Sequence, residues 1–364
     1  MFDTVEQLFI EPHRSIAEAL TTLNQSGIGL ALVVEPDASL LGTVTDGDVR
    51  RGLLRGLGTE DSIELVMNPT PITAIAGTSR EELLELMRAR RRRQIPLLAN
   101  GKVVGVEWQD RLLNVSPMPI RTTPTVIMCG GLGIRLRPLT EHTPKSLLPV
   151  AGKPVLEHLI ESLARYELRH IWLATNYRRE IIEEHFGDGE RWGVELGYAR
   201  EPQPLGTAGA LGLLREALTE PTLVLNGDLI TGTDFGRLID FHFERKFDMT
   251  ICTKPFQFDV PYGVMQVDED EVRSFEEKPS YSFHTNAGIY VLNPEVIELI
   301  PDDEACDMTD VMGMILAKGG RIGAFPVYEY WLDIGKMADY ERANAQLSPR
   351  ASGAERPGTG SDRS

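Results

Sequence analysis

Residues 129–145 combine the residue types in this sequence that point most directly to chemistry. Three glycines lie within four positions: Gly130, Gly131 and Gly133. They follow an apolar segment, residues 125–128, which is typical of a buried strand. Because glycine has no side chain to block close approach, the freed backbone N–H groups can face a phosphate. Arg135 and Lys145 add positive charge to the same region, so the segment predicts a binding site for a nucleoside triphosphate.

The glycine-rich stretch fits neither of the two common nucleotide-binding patterns. It lacks the Gly-Lys-Ser/Thr of the P-loop and the G-x-G-x-x-G spacing of dinucleotide-binding folds. The longer string G-G-x-G-x-R-L-x-P-L-T, followed by Pro144 and Lys145, resembles the signature of sugar-1-phosphate nucleotidyltransferases. This resemblance implies an α/β, Rossmann-like domain with a mixed, mostly parallel sheet. It also implies that Arg135 and Lys145 are the catalytic cations, and that the three glycines bind the nucleotide. Ile134 departs from the family, which usually has Ser or Thr there.

Two aspartates follow apolar segments that are predicted to be strands. Asp228 ends the segment 223–228, and Asp333 lies within 331–335. Open α/β sheets bind ligands at the carboxyl ends of their strands, and two carboxylates with phosphate oxygens and water suit Mg²⁺. Either aspartate alone is more often a turn or a helix cap. The resemblance implies that both hold Mg²⁺ at the transferred phosphate.

The resemblance also assigns a sugar-binding region. Glu276 to Pro279 matches the family's E-K-P motif, which implies that Glu277 accepts hydrogen bonds from sugar hydroxyls and Lys278 pairs with the sugar phosphate. An exposed charged turn is the alternative. Asn286 to Tyr290 matches a segment that lines the sugar pocket, with Asn286 as a hydrogen-bonding group and Gly288 leaving room for the hexose.

The base-binding region is predicted between residues 201 and 209. In the family, the loop that contains Gly206 and Thr207 lies against the nucleotide base. Glu201 is a candidate for selecting guanine, because a carboxylate can accept hydrogen bonds from both N1–H and the 2-amino group. Uracil and thymine offer only one such donor. The alternative for Glu201 is a surface glutamate before a turn.

Residues 1–115 contain an internal repeat with a spacing of 63 residues. Its matching features are capping boxes at Ser15–Glu18 and Thr78–Glu81, apolar strands at 30–34 and 95–98, and glycines at Gly42 and Gly105. Each half predicts the order helix, strand, turn, strand, helix. The pair resembles a tandem CBS-domain module, an α+β unit that is regulatory or oligomerising.

In CBS domains, positions that match Thr45 and Asp48 hold an adenine nucleotide, with the carboxylate on the ribose. The second half has Trp108 and Arg111 at the same offset, so at most one standard site is expected. A purely structural or oligomerising module is the alternative. An arginine run at residues 88–93 is either a solvated helix face or a phosphate-binding or subunit contact.

Composition and the positions of proline and glycine divide the rest of the chain. Residues 116–124 are proline-rich and predict a linker, residues 125–347 alternate strands and helices, and residues 348–364 predict a disordered tail. The net charge of −17 argues against nucleic-acid binding. The N-terminus lacks a signal-peptide pattern and no apolar run approaches membrane-spanning length, which predicts a cytoplasmic protein that does not use a membrane. The three cysteines predict free thiols and no zinc site.

The implied reaction joins an NTP and a hexose-1-phosphate into an NDP-sugar and pyrophosphate. A CBS pair ahead of this catalytic domain is similar to the guanylyltransferases that make GDP-glucosamine for legionaminic acid synthesis. GTP with glucosamine-1-phosphate, or with mannose-1-phosphate, is therefore the first expectation. Thymidylyl or uridylyl transfer to glucose-1-phosphate is the alternative. A rival from another class is a catalytically silent regulatory subunit that binds a sugar nucleotide. A homo-oligomer is also expected.

Overall fold

The computed structural model describes residues 4–90, 92–113 and 122–347. It divides into two compact units. The first unit holds residues 1–119, 253–286 and 325–327, and the second holds residues 120–252, 287–324 and 328–364. The predicted linker at 116–124 falls mostly outside the described residues, and the predicted tail at 348–364 falls wholly outside them.

The N-terminal part of the first unit confirms the predicted repeat. Its elements are β1 (Phe9–Ile10), α1 (Ile16–Ser26), β2 (Leu30–Val34), β3 (Leu40–Thr45), α2 (Asp46–Leu54), β4 (Ala74–Ile75), α3 (Arg80–Arg90), β5 (Gln94–Ala99), β6 (Lys102–Trp108) and α4 (Gln109–Leu113). Each half forms a three-stranded sheet, in the orders β1-β2-β3 and β4-β5-β6. The strands β1 and β4, of two residues each, were not predicted, because two residues carry no period.

One capping box was placed correctly and the other was wrong by one residue. Ser15 and Glu18 form the predicted reciprocal pair at the start of α1. At α3 the pair is Ser79 and Glu82, whose carboxylate accepts from the Ser79 backbone N–H at 3.1 Å, and not Thr78 and Glu81. The Thr78 hydroxyl instead donates to the Ile75 carbonyl at 2.7 Å. Both sequence spacings satisfy the same pattern, so only the turn before the helix decides between them.

The strands and helices after residue 122 alternate as predicted over residues 153–200, whereas residues 249–292 form four consecutive strands. The elements are β7 (Thr125–Met128), β8 (Pro149–Val150), β9 (Lys153–Pro154), α5 (Val155–Arg165), β10 (His170–Thr175), α6 (Arg179–Phe186), β11 (Glu195–Arg200), β12 (Thr222–Asn226), β13 (Leu229–Thr231), α7 (Phe235–Arg245), β14 (Met249–Asp259), β15 (Val264–Asp268), β16 (Glu271–Glu276), β17 (Ser280–Leu292), α8 (Pro294–Ile297), α9 (Met308–Ala317), β18 (Ile322–Pro326), β19 (Trp331–Asp333) and α10 (Met337–Leu347).

A seven-stranded sheet organises the second unit, in the order β11-β10-β7-β12-β17-β14-β18. The pairs β11–β10, β10–β7 and β7–β12 are parallel, whereas β12–β17 is antiparallel. The sheet is therefore mixed with a parallel half, which confirms the predicted fold class. Side chains of β7, β12 and α9 share a buried cluster that includes Val126, Val224 and Val311. Burying such side chains stabilises the layer by about 1.5–3 kcal/mol each.

Two smaller features complete the framework around the sheet. β13 and β19 form an antiparallel pair, and Ile230 and Leu332 from it are buried with Leu136 and Val155. The outer parts of β14 and β17, together with the β15–β16 hairpin, belong to the first unit. Among the described residues, no helix has the length and apolar character needed to cross a bilayer.

Candidate active site

Three candidate parts of the site follow the carboxyl ends of strands in the parallel half of the sheet. The glycine-rich loop follows β7, Glu201 follows β11, and Asp228 comes two residues after β12. Backbone hydrogen bonds fix these ends, because Glu201 N–H donates to the Thr175 carbonyl at 2.9 Å and Gly227 N–H donates to the Met128 carbonyl at 2.9 Å. This edge of a parallel sheet is where open α/β folds bind ligands.

The glycine-rich loop passes directly over a buried carboxylate. A Cβ atom on Gly130 would lie 2.4 Å from Glu201 Oε1, so that position accepts only glycine unless Glu201 moves. Gly133 has a φ of +62°, and a Cβ there would crowd Thr140 at 2.9 Å. Gly131, in contrast, has no atom within 4 Å of its Cβ position. The loop therefore packs through Gly130 and Gly133 and leaves Gly131 open to a ligand.

Glu201 is buried, with 5% of its surface exposed, so the alternative of a surface glutamate is wrong. Its Oε2 accepts a hydrogen bond from the Leu205 N–H at 3.0 Å, which fixes the start of the loop that carries Gly206. Burial raises the pKa of the Glu201 carboxyl, and the Leu205 hydrogen bond opposes that shift. Glu201 thus links the glycine-rich loop to the loop at residues 205–209.

Asp228 and Asp333 are brought together by strand pairing. Asp333 pairs with Leu229 in the β13–β19 register, and the Ile334 N–H donates to the Asp228 carbonyl at 3.0 Å. Burial and the Asp228 carboxylate raise the pKa of Asp333 to about 6. The arrangement holds two carboxyl groups from distant parts of the sequence at one place, as the two predicted metal ligands require.

These two carboxyl groups fit a divalent cation. Asp228 Oδ1 and Asp333 Oδ1 are both buried, and neither accepts a hydrogen bond from the described residues. Buried carboxylate oxygens without donors are costly unless something positive satisfies them. The described residues contain no group of three or more His, Cys, Asp or Glu side chains that could hold a metal by themselves. Substrate phosphates and water would therefore supply the remaining ligands.

The two predicted catalytic cations lie beside the carboxylates. Lys145 Nζ forms an ion pair with Asp228 Oδ2, and the Lys145 side chain is only 14% exposed. Arg135 is exposed, and its charge acts on Asp333, where it lowers the pKa against the effects of burial and Asp228. A Cβ on Gly335 would lie 3.8 Å from Arg135 Nη1, an ordinary van der Waals distance, so the guanidinium lies beside the segment that follows Asp333. The Lys145–Asp228 pair was not predicted.

The loop with Gly206 and Thr207 is held by contacts that the sequence did not reveal. Gly206 has a φ of +79°, and a Cβ there would lie 2.7 Å from the Cys306 carbonyl oxygen. Asp307 accepts from the Thr207 N–H at 2.9 Å and from its hydroxyl at 3.1 Å. The Thr207 hydroxyl in turn accepts from the Met308 N–H at 2.9 Å. Thr207 therefore has a structural role, and its side chain is not free for a base.

Gly288 has a packing role besides the predicted one. Its φ is +69°, and a Cβ there would lie 2.6 Å from Asn226 Nδ2. The space beside Gly288 is thus occupied by Asn226, a residue that no motif singled out. The nearby Trp331 Nε1–H donates to the Ala287 carbonyl at 2.9 Å, which ties β17 to the strand that ends at Asp333.

The other predicted sugar-site residues belong to the first unit. Glu277, Lys278 and Asn286 are exposed, and Lys278 has a left-handed backbone with φ of +47°. Such a conformation costs free energy in a non-glycine residue and is found most often in turns and functional sites. Glu277 Oε2 lies 3.0 Å from the Cβ position of Gly263, so glycine at 263 leaves room for this carboxylate.

The predicted CBS ligand residues form a helix cap and border a cavity. Asp48 Oδ2 accepts from the Thr45 backbone N–H at 2.8 Å and from its hydroxyl at 2.6 Å, in a capping box at the start of α2. A cavity of about 350 Å³ lies alongside, with Asp48, Arg51 and Arg55 as its charged lining. That volume lies within the range of small-molecule sites.

The cysteine beside the glycine-rich loop is not a nucleophile. Cys129 is buried, and desolvation, Asp228 and Glu201 together raise the pKa of its thiol far above the usual range. Its sulfur lies 2.8 Å from the Cβ position of Gly227, so it fills space against the β12 turn. All three cysteines are free, as predicted, and the structure shows that all three are buried.

Comparisons with known proteins match two parts of the chain to known families. Residues 124–349 match the family described as "Nucleotidyl transferase", and residues 5–55 and 62–106 match the CBS domain. The chain is 35% identical over 236 residues to a mannose-1-phosphate guanylyltransferase of Mycobacterium tuberculosis, covering 63% of this chain and 66% of that one. It is 38% identical over 225 residues to a mannose-1-phosphate guanylyltransferase catalytic subunit beta of Drosophila pseudoobscura pseudoobscura, covering 60% of each. The chain thus spans less than two thirds of these relatives' length.

A solved structure shares the same fold. HddC from Yersinia pseudotuberculosis is 28% identical, with a TM-score of 0.51 over 62% of this chain and all of that one. A second structure of HddC, complexed with GMP-PN, gives a TM-score of 0.50 at 27% identity. The family match covers more than half of the chain and contains the glycine-rich loop, both aspartates and both cations. The chain therefore belongs to the nucleotidyl transferase family and carries two CBS domains ahead of the catalytic region.

Proposed function

We propose that this protein transfers a nucleotidyl group from GTP to a hexose-1-phosphate, giving a GDP-sugar and pyrophosphate. The observation that carries the proposal is the cluster of Asp228, Asp333, Lys145 and Arg135 beside an open glycine at position 131. A silent regulatory homologue would need pocket residues but not paired carboxylates with unsatisfied oxygens. Glucosamine-1-phosphate and mannose-1-phosphate are the proposed acceptors.

The proposed reaction needs positioning and charge more than a general base. The phosphate of a sugar-1-phosphate is already largely dianionic at neutral pH, since its second pKa is about 6. One of its oxygens attacks the α-phosphorus of GTP, and the bond to the bridging oxygen breaks to release pyrophosphate. Arg135 holds the leaving pyrophosphate, Lys145 keeps a positive charge beside Asp228, and Lys278 pairs with the sugar phosphate. Catalysis then comes from alignment and electrostatic stabilisation.

Asp228 and Asp333 would hold a divalent cation, for which we propose Mg²⁺. Bound there, Mg²⁺ screens the negative charge of the reacting phosphates. Support for this assignment comes from the two carboxylate oxygens that lack donors. We also propose that the protein acts in the cytoplasm.

A substrate panel tests the proposed reaction. Purified protein would be given GTP, UTP or dTTP, each with glucosamine-1-phosphate, mannose-1-phosphate or glucose-1-phosphate, and pyrophosphate release would be measured. Release with GTP and one of the first two sugars supports the proposal. Preference for dTTP or UTP overturns the choice of guanine, and no release with any pair in the presence of Mg²⁺ favours the regulatory homologue.

Glu201 gives the proposal a test of base selection. Glu201→Gln retains the size of the side chain, and the Gln oxygen can still accept from the Leu205 N–H. If the other carboxylate oxygen accepts from guanine, the change replaces that acceptor with a donor. We expect kcat/KM for GTP to fall relative to kcat/KM for UTP, by a factor that corresponds to about 1–3 kcal/mol of lost transition-state stabilisation. Burial raises the pKa of Glu201, which means that the site disfavours the charged carboxylate. The neutral Gln side chain should therefore be tolerated and the fold retained.

The control for this comparison is Glu195→Gln, a side chain that is 77% exposed on β11. It should leave both kcat/KM values unchanged. Equal losses for GTP and UTP in Glu201→Gln would mean that Glu201 only supports the loops, and the base-selection hypothesis would then be dropped.

We further propose that the CBS pair binds an adenine nucleotide in the cavity beside Asp48. Arg51 and Arg55 at its edge would contact phosphate, and the Asp48 carboxylate would accept from the ribose hydroxyls. Isothermal titration with AMP, ADP and ATP should detect binding, and Asp48→Asn should weaken it about tenfold, since one charged hydrogen bond is lost. If none of the three nucleotides binds, the module has a structural or oligomerising role only.

A further inference from the structure

The outer parts of β14 and β17 present an aromatic face that the described residues leave exposed. Gln257 Nε2 donates to Ser280 Oγ at 2.7 Å, so these two side chains share one face of the neighbouring strands. Because side chains alternate along a strand, the residues next to them share the opposite face. That face, termed here the aromatic face, consists of Phe256, Phe258, Tyr281 and Phe283.

All four aromatic side chains are exposed: Phe256 by 53%, Phe258 by 54%, Tyr281 by 38% and Phe283 by 54%. The other face of the same strands carries polar residues, among them Ser282 and Asn286 by the same alternation. Alternation of this kind is typical of a strand pair with one buried face. The aromatic face therefore lies opposite the candidate sugar-binding residue Asn286 and is not part of that site.

The β15–β16 hairpin, which lies between β14 and β17 in the sequence, repeats the pattern. Met265 pairs with Phe275, and Val267 pairs with Val272, so these four residues share one face, termed here the hairpin face. They are 55–74% exposed. A two-stranded hairpin is only marginally stable alone, and an uncovered apolar face of this size is unusual for a monomer.

The C-terminal segment of this chain and a lipid surface are poor occupants of these faces. Residues 348–364 contain no Ile, Leu, Met, Phe, Trp, Tyr or Val, so they have nothing apolar to place there. The hairpin turn carries four consecutive acidic residues, from Asp268 to Glu271, and the chain has a net charge of −17. An anionic membrane surface would repel both the acidic hairpin turn and the negatively charged chain as a whole.

We propose that the aromatic face and the hairpin face form a two-fold interface with a second copy of this chain. Together the eight side chains expose on the order of 800 Å², which is the area that each partner of a stable complex buries. A face with aromatic side chains on both of its strands can pack against its own copy, as a two-fold interface requires. This interface does not depend on the proposed reaction, and it gives the expected homo-oligomer a location.

Sedimentation velocity of the full chain tests the interface. The wild type should sediment as a dimer of the 40.5-kDa chain at micromolar concentration. The double variant Phe258→Asp/Phe283→Asp should raise the dimer dissociation constant at least about 100-fold, because burying two new carboxylates is costly. Phe243→Asp is the matched control, since Phe243 lies on α7 and is 51% exposed, and it should leave the dimer intact. A monomeric wild type, or a double variant with an unchanged dimer, overturns the proposal.

A second measurement covers the case in which the double variant does not fold. Benzoylphenylalanine is close to phenylalanine in shape and forms covalent cross-links on illumination. Placed at position 256 it should give a cross-linked dimer, and placed at position 243 it should give only monomer. Cross-linking at 243 with none at 256 would assign the interface to another face and contradict the proposal.

Discussion

Asp228→Asn and Asp333→Asn are each expected to lower kcat by at least about 100-fold without unfolding the protein. Each change replaces a charged ligand by a neutral, weaker one at the place where the reacting phosphates carry their charge. Losing one such electrostatic contact at a reacting centre typically costs two to three orders of magnitude. Chelator should abolish the activity of the wild type, and excess Mg²⁺ should restore it.

A binding measurement separates a metal ligand from a residue that only supports the site. The thermal midpoint of the wild type should rise when Mg²⁺ and pyrophosphate are added together, because both bind the folded state. In Asp333→Asn that rise should be lost. The midpoint of the variant without ligands should stay the same or increase, since a buried carboxyl beside Asp228 is removed. Near-normal kcat in either variant at saturating Mg²⁺ would contradict the metal assignment.

The control for these variants is Asp302→Asn, which lies in the second unit. Asp302 is 76% exposed and pairs with Arg215 at the surface. A surface ion pair contributes at most about 1 kcal/mol, so kcat and the response to Mg²⁺ should be unchanged. A loss of activity in this control as well would indicate a general effect of the substitutions on folding.

The sequence predicted the parts of this site that local patterns encode. The glycine-rich loop after β7 and the aspartate after β12 are each visible as an apolar strand followed by small or acidic residues. The alternation of strands and helices predicted the parallel pairing that brings them to one edge, but not the order of the strands. The bounds predicted from the sequence were 154–166 for α5, 178–186 for α6 and 170–175 for β10. All three agree with the structure to within one residue.

What the sequence could not predict are contacts between distant residues. The Lys145–Asp228 ion pair joins positions 83 residues apart, and Asn226 packs against Gly288 across two strands. Asp307 holds Thr207 from 100 residues away. None of these pairs has a spacing or periodicity that marks it, because each depends on how the chain folds back. The burial of Glu201 was missed for the same reason, since its neighbour Gly130 comes from another strand end.

The second large effect concerns stability, and it depends on Arg50 in the first unit. Its guanidinium forms a fork with Asp46, with Nε to Oδ2 at 2.6 Å and Nη2 to Oδ1 at 3.0 Å. It lies 3.7 Å from the ring centre of Phe325 and donates to the Pro326 carbonyl. The two charged side chains are only 5% and 11% exposed. Removing one partner of such a pair leaves the other charge buried without compensation.

Arg50→Met is therefore expected to destabilise the first unit by about 3–5 kcal/mol, which corresponds to a thermal midpoint lower by roughly 6–20 °C. Calorimetry of the full chain would measure it. Arg14→Met removes another i,i+4 ion pair, with Glu18, but at 47% exposure, and should cost less than about 1 kcal/mol. The double variant Asp46→Leu/Arg50→Met should recover most of the loss, because no charge is then left buried. A midpoint for Arg50→Met no lower than that of Arg14→Met would mean that solvent reaches Asp46 and that the pair contributes no more than a surface contact.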